Sequence, residues 1–368
     1  MKIQPHAIVI IPLVGAMLVA APTGEQQAPA PAPTTGVHHR LRVQMAPASH
    51  MVTISDEVSW PGGTPPGDLS FVLSAKLRIT HAVPPVEAMA AGAARRAPGL
   101  DPLDASNVKR YRPLNTAGVT SIALTYEGPI DVPLSDPKEE YTRGFRETSG
   151  LVGPEGVYLS AATFWYPRFG EELVTFALEA QVPDGWHVIS QGNGTSRGAD
   201  GKARWDSAGM MDEIHLVGGP LQVFRDSAGA VETLVYLHDN DASLANKYLA
   251  ATAQYIEMYR SLIGPYPYGK FALVENFWET GYGMPTFTLL GREIIRFPFI
   301  INSSYPHEIL HNWWGNSVFV DYASGNWCEG LTAYMADHLI QEQRGAGDEY
   351  RRSTLQKYRD YVTSGRDF

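Results

Sequence analysis

The spacing of apolar residues along this chain changes period at Asp239, and that change restricts the possible folds more than any other feature. Ahead of it Leu41, Val43 and Met45 alternate with polar residues. So do Phe71, Leu73, Ala75, Leu77 and Ile79, then Ile122, Leu124 and Tyr126, then Val174, Phe176, Leu178, Ala180 and Val182. A period of two places every second side chain on one face of an extended chain, so these runs predict half-buried strands. Pro61-Gly62-Gly63, Gly128-Pro129, Pro183-Asp184-Gly185 and Gly218-Gly219-Pro220 supply the turns. With no helical pattern between them, the strands predict an antiparallel β-sandwich or saddle over residues 40–239.

Beyond Asp239, Leu244, Tyr248, Tyr255, Ile256, Tyr259, Leu262 and Ile263 fall on one helical face, preceded by Asp and Asn caps and stopped by Gly264-Pro265. Strand-like segments near 271–274 and 286–295 follow, then helical segments near 306–314 and 329–341. Residues 240–368 therefore predict a mixed helix and strand domain, and the whole an α+β multidomain protein.

Composition agrees with two cores. A chain of 368 residues exceeds what one hydrophobic core usually organises, and 44% apolar with 18% charged residues describes folded protein. Against 39 acidic residues stand 29 basic ones with no basic stripe, so nothing favours nucleic acid as a partner. Lys2, the apolar run 7–19 and then Ala20 and Ala21 have the layout of a secretory signal over residues 1–22. Pro12 and Gly15 interrupt that run, so no stable membrane span is expected once it is removed, and the protein is expected to be secreted or periplasmic. Residues 23–39, rich in Pro, Ala, Gln and Thr, read as a leader with little to bury, and the Ala-rich stretch 85–105 as a surface loop. Cys328 is the single cysteine, which excludes an intrachain disulfide and reads as a small buried hydrophobe.

The chemistry is concentrated in His307-Glu308-Ile309-Leu310-His311. Imidazoles at i and i+4 lie one above the other on a helix, where both reach one ion, and zinc suits imidazole nitrogen. Glu308, between them, is positioned to take the proton from the water that the metal activates and hand it to the leaving amine. Ser303 and Ser304 offer N-caps, Pro306 fits a first turn and Gly315 closes the end. Glu329 opens a second helical run through Leu331, Met335 and Leu339, and a turn between the helices would bring its carboxylate to the metal as third ligand. Asp321 lies too near in sequence for that crossing, and Asp337 too deep in the second helix.

Tyr305-Pro-His-Glu-Ile-Leu-His-Asn-Trp-Trp-Gly-Asn, followed by Trp327-Cys-Glu-Gly, resembles the gluzincin peptidases of the aminopeptidase N and leukotriene hydrolase family. Gly264-Pro-Tyr-Pro-Tyr-Gly-Lys extends the likeness, which covers residues 40–368 and is strongest from 241 onward. The resemblance implies a saddle-shaped N-terminal domain, a thermolysin-like zinc domain with one zinc ion per chain held by His307, His311 and Glu329, catalysis by Glu308, and a peptide substrate running along Gly281, Tyr282, Gly283 and Met284. The activity it implies is that of a metallo-aminopeptidase.

Three departures from the family pattern bear on that expectation. Residues 312–328 make the spacer to Glu329 one residue short, which a tighter turn would absorb. Pro285 and Thr286 stand where the family has the glutamate and asparagine of its amine-binding loop, and Ser160 with Ala161 and Ala162 stands where a second amine anchor is expected. Glu275 or Glu279 could substitute; otherwise an endopeptidase, another hydrolase on this scaffold, or a peptide-binding relative without activity becomes the alternative. The chain also ends before the family's oxyanion tyrosine would be reached, so it reads as C-terminally truncated, with Tyr358 and Tyr361 as helix packing. Trp313, Trp314, His338 and the run Phe164-Trp165-Tyr166 read as structural.

Overall fold

The computed structural model describes residues 36–61, 65, 67–90, 107–135, 146–170, 173–320 and 327–364. The expected signal lies outside them, as do Asp321, most of the leader and most of the Ala-rich loop. Strand begins at Val37, inside what reads as leader, and Val86–Ala88 forms a short strand inside what reads as loop.

The larger N-terminal sheet has seven strands in the order Asn193–Thr195, Lys202–Asp206, Val174–Gln181, Val37–Ala46, Met51–Ser59, Ser121–Pro129, Arg78–Val83. Its pairings are antiparallel except one. Val37–Ala46 runs parallel to Val174–Gln181, with Val37 opposite Val174 and Gln44 opposite Gln181. These two strands are too far apart in sequence for a hairpin to fix their direction, so alternation alone could not reveal it. The alternating residues do point inward: Leu41, Val43, Val52, Ile54, Val58, Ile122, Leu124, Phe176 and Leu178 are all buried.

Beneath that face lie a four-stranded sheet, ordered His187–Ile189, Leu216–Gly219, Gly156–Leu159, Gly150–Gly153, and a three-stranded one, ordered Phe71–Ser74, Val108–Pro113, Val86–Ala88. All three share one core that includes Trp165, Tyr166 and Trp205. The run from Phe71 to Ile79 is divided between sheets: Phe71–Ser74 pairs with Val108–Pro113, and Arg78–Val83 with Ser121–Pro129. A turn closed by Leu77 N–H to Ser74 O (3.0 Å) separates them. Leu77 stays buried across the turn, so the period of two survives a break in the strand.

The second architecture is a five-stranded sheet ordered Gln222–Ala228, Val231–Leu237, Lys270–Asn276, Phe287–Gly291, Gly281–Met284. By hydrogen bonding it begins with the hairpin Gln222–Leu237, ahead of the change in period at Asp239. Val231–Leu237 and Lys270–Asn276 are parallel and joined by the helix Ala242–Leu262. All seven residues of Lys270–Asn276 are buried, as in a strand covered on both faces. Phe271 and Leu273 enter a core formed with the helices, and Ala272 and Val274 enter the core of the N-terminal sheets. Two cores are thus built on opposite faces of one strand.

The helix Ala242–Leu262 is capped by the Asp241 carboxylate, which accepts from Leu244 N at 2.9 Å, and it buries Tyr248, Tyr255, Ile256 and Tyr259. Leu262, which fits that face by spacing, is 53% exposed in its last turn. No helix among the described residues is long and apolar enough to cross a membrane.

Candidate metal centre

The histidine helix, Ser304–Leu310 with His311 at its C-cap, is fastened by three fully buried side chains, Tyr305, Ile309 and Leu310. The Tyr305 ring meets Tyr248 of the long helix edge-on at 4.8 Å. Pro306 occupies the first turn, where its missing N–H leaves no intrahelical bond unmade. Ser303 holds the N-cap position, but its hydroxyl donates to Phe299 O (3.0 Å) instead of capping the helix. Gly315, at φ +99°, lets the chain turn away where a Cβ would sit 2.9 Å from Cys328 Sγ.

Glu329 lies in the helix Trp327–Ala333, which widens into a π turn over Tyr334–His338 before resuming at Leu339–Gln343. The two helices bring His307, His311 and Glu329 together, with one ligand atom from each within 4.8 Å of the others. His307 Nε2 lies 3.3 Å from Glu329 Oε2, and His311 Nε2 lies 3.4 Å from Glu329 Oε1. The opposite nitrogens are engaged: His307 Nδ1 with Asp337 Oδ2 at 3.1 Å, and His311 Nδ1 with Trp314 O at 3.1 Å. With each Nδ1 turned to its own oxygen, both Nε2 atoms face the Glu329 carboxylate. Asp337 is therefore part of this centre, behind His307. Its spacing hides that role, because contact depends on the π turn, and such widened turns recur at functional sites.

The electrostatics are those of a pocket arranged for a cation. Burial disfavours charge on His307, but the hydrogen bonds its ring donates to Asp337 and Glu329 outweigh it and raise its pKa to about 10. Burial, reinforced by that charge, lowers His311. Glu329 is lowered chiefly by its bond to His307. Burial pushes Glu308 up to about 7, against the pull of His307. Without metal the cluster keeps a proton on His307, and metal binding displaces such protons.

The strand Gly281–Met284 is the outer strand of the five and, among the described residues, pairs with Phe287–Gly291 alone, with Gly281 opposite Leu290 and Met284 opposite Phe287. It passes so near Glu308 that a Cβ on Gly283 would collide with Glu308 Oε2. Met284 is buried, and the Tyr282 ring stacks on Tyr158 of the N-terminal part at 6.1 Å. Gly283 and Glu308 thus lie side by side, at a strand whose outer edge is unpaired among the described residues.

The acidic substitutes lie elsewhere. Glu275 is buried, accepting from His238 N (2.6 Å) and Arg296 (2.6 Å), and Glu279 accepts from Glu293 N (2.9 Å) and Ile294 N (3.3 Å). Both carboxylates are consumed by the scaffold. Near Ser160 a different acid appears: Glu213 accepts from Ala161 N at 2.7 Å and lies 3.3 Å from His215 Nε2. Burial opposes its ionisation, but the charge and hydrogen bond of His215 hold its pKa at about 2. In sequence, Asp212-Glu213 reads as an ordinary polar turn and offers no signal.

Of the remaining residues, Trp313 is buried, with Nε1 donating to Pro265 O at 3.1 Å. His338 stacks on Tyr334 (5.0 Å), outside the three-residue cluster. Cys328 is buried, with Sγ 3.5 Å from His311 Nδ1. Tyr358 is 55% exposed on the helix Gly347–Thr363, where its spacing suggests packing.

No family model and no curated protein matches this sequence. Solved structures do. The M1 zinc metallopeptidase of Deinococcus radiodurans aligns with TM-score 0.58 at 17% identity, over 87% of this chain and 75% of its own. A variant of that enzyme bound to a Tyr-Ser-Ala substrate aligns with TM-score 0.57 at 17% identity, over 87% and 76%. Native yeast LTA4 hydrolase aligns with TM-score 0.61 at 13% identity, over 92% of this chain and 55% of its own. The chain has the fold of these solved structures, an N-terminal β part followed by a mixed helix and strand architecture.

Proposed function

We propose that the protein is a zinc-dependent peptidase of the aminopeptidase N and leukotriene hydrolase family, exported to the periplasm or the medium, and acting as an aminopeptidase. One observation carries the reading: two Nε2 atoms and a carboxylate converge, with both Nδ1 atoms already engaged. Two imidazoles and one carboxylate form a donor set that suits catalytic zinc and leaves a coordination position open. His307, His311 and Glu329 would hold the ion, with Asp337 and the Trp314 carbonyl orienting the rings. Zinc in such a site acidifies water and polarises a carbonyl.

The chain's own groups supply the rest. Glu308 accepts the proton of the attacking water and returns it to the departing amine, a task suited to a carboxyl group whose pKa is near neutrality. The free edge of Gly281–Met284 offers backbone N–H and C=O groups to an extended peptide, which adds as a further strand. The lack of a side chain at Gly283 keeps that backbone close to Glu308.

Glu308→Gln tests the reaction. Peptidase activity is expected to fall by roughly 10²- to 10⁴-fold, with zinc content unchanged. Full activity in that variant, or a purified protein without stoichiometric zinc, overturns the reading. An endopeptidase register is the second reading, favoured by the engagement of Glu275 and Glu279 in the scaffold. Aminoacyl reporters with a free amine and their N-blocked counterparts distinguish the two, and equal cleavage of both removes the aminopeptidase assignment. Glu213 is bonded to the segment after Ser160, where a second amine anchor is expected; if it reads the substrate amine, Glu213→Gln raises KM for free-amine substrates alone.

A further inference from the structure

Lys270 opens the central strand of the catalytic sheet and is almost completely buried, at 2% exposure. Its ammonium donates to Ser190 O at 3.0 Å and to Thr286 Oγ1 at 2.6 Å, and lies 4.7 Å from the centre of the Trp205 ring. No carboxylate pairs with it among the described residues. Glu232 is the acid whose charge reaches it, and that carboxylate is paired with Arg225. A buried cation with no counter-ion is costly, so its surroundings must use all of its hydrogen-bonding capacity.

Thr286 is equally unusual. It is β-branched, fully buried and at φ +72°, a conformation such residues rarely adopt. Each of its polar atoms is held: N donates to Asn312 Oδ1 (2.8 Å), O accepts from Ala272 N (3.0 Å), and Oγ1 accepts from Lys270. Asn312, one position past His311, donates through Nδ2 to Ile309 O (3.0 Å) in the histidine helix. Tyr266 closes the circuit, its hydroxyl within hydrogen-bond distance of both Lys270 O (3.0 Å) and Asn312 Oδ1 (3.1 Å). The kink at Thr286 is where the chain turns from the cleft strand Gly281–Met284 back into the sheet.

We infer that Lys270 is a positioning residue: through Thr286 and Asn312 it fixes the cleft strand Gly281–Met284 against the histidine helix, while its bond to Ser190 O ties that arrangement to the N-terminal part. The occupant of the position after Pro285 is thereby assigned a task. Thr286 does not contact substrate; it receives the lysine and sets the height of Gly283 over Glu308.

The test uses Lys270→Met, Thr286→Val and Thr286→Ser in the full chain, read first by amide hydrogen exchange. Thr286→Val keeps shape and branching but removes the acceptor, whereas Thr286→Ser keeps the hydroxyl. Exchange over residues 281–291 should quicken about tenfold in the first two, the scale of one lost hydrogen bond to a charged group, and stay near wild type in the third. The strands Val37–Ala46 and Met51–Ser59 should be unaffected. In the kinetic arm, which rests on the peptidase reading, KM should rise while zinc content holds, and Lys270→Met combined with Thr286→Val should do no more harm than either alone. Unchanged exchange over 281–291 in Thr286→Val, or equal damage from Thr286→Ser, overturns the inference even if Lys270→Met fails to fold. Altered exchange in a protein that cleaves nothing supports the positioning role and removes the peptidase reading instead.

Discussion

His307 Nδ1 lies 3.1 Å from Asp337 Oδ2, thirty positions further along the chain, and the contact exists because the second helix widens at Tyr334–His338. A carboxylate behind a ligating imidazole fixes the ring and raises its basicity. Asp337→Ala should therefore weaken zinc binding by roughly 10- to 100-fold, with Asp337→Asn intermediate. Competition with a chelator of known affinity measures this. Wild-type affinity in the alanine variant would remove Asp337 from the centre.

Gly283→Ala places a methyl group against Glu308 Oε2. The strand is at a sheet edge and can shift slightly, so the fold should survive with a melting temperature within a few degrees of wild type. Peptidase turnover should drop sharply because Glu308 is displaced. Unaltered turnover in a folded variant would show that the strand does not define the position of Glu308.

The pH dependence of stability reports on Lys270, whose pKa burial pushes down to about 7. Because the folded value is below that of the unfolded chain, the unfolded state binds the additional proton between about pH 7 and about pH 10.4. The contribution of this group is complete above the unfolded pKa and is lost as pH falls through about 7. Denaturant titrations of wild type and Lys270→Met should show the wild type gaining on the variant as pH rises across that window. A constant difference between pH 6 and pH 10 refutes a lowered pKa.

Glu275→Gln separates scaffold from specificity. It weakens the bonds to Arg296 and to His238 N, so a loss of about 1–3 kcal/mol is expected on equilibrium unfolding. The ratio of free-amine to N-blocked cleavage should stay unchanged. A collapse of that ratio would return Glu275 to the list of amine anchors.

The parts of this architecture that were legible in the sequence are local ones. His307 and His311 are four positions apart, and helical geometry alone brings their rings together, edge-on with centres 4.8 Å apart. The long helix announces itself through Asp241 and Gly264-Pro265 in the same way. Pairings between distant segments left no such trace. Nothing near Val37 indicates a parallel partner at Val174, and the alternation from Phe71 to Ile79 continues through a turn that moves the chain to another sheet. Lys270, on a central strand, and Thr286, in the turn before Phe287–Gly291, carry no pattern linking them, and Glu213 reaches the segment after Ser160 only through folding.

The hairpin Gln222–Leu237 bears on how the chain can be cut. A recombinant piece beginning at Asp239 would keep His307, His311 and Glu329, yet it would strip two strands from the five-stranded sheet. Lys270–Asn276, buried along its whole length, would become an open border with unpaired amides, and Ala272 and Val274 would lose the core that covers them. Such borders recruit other copies, so that piece should precipitate on expression. A boundary placed before Leu221 keeps the border covered and gives engineers a more defensible starting point for grafting or swapping the N-terminal part.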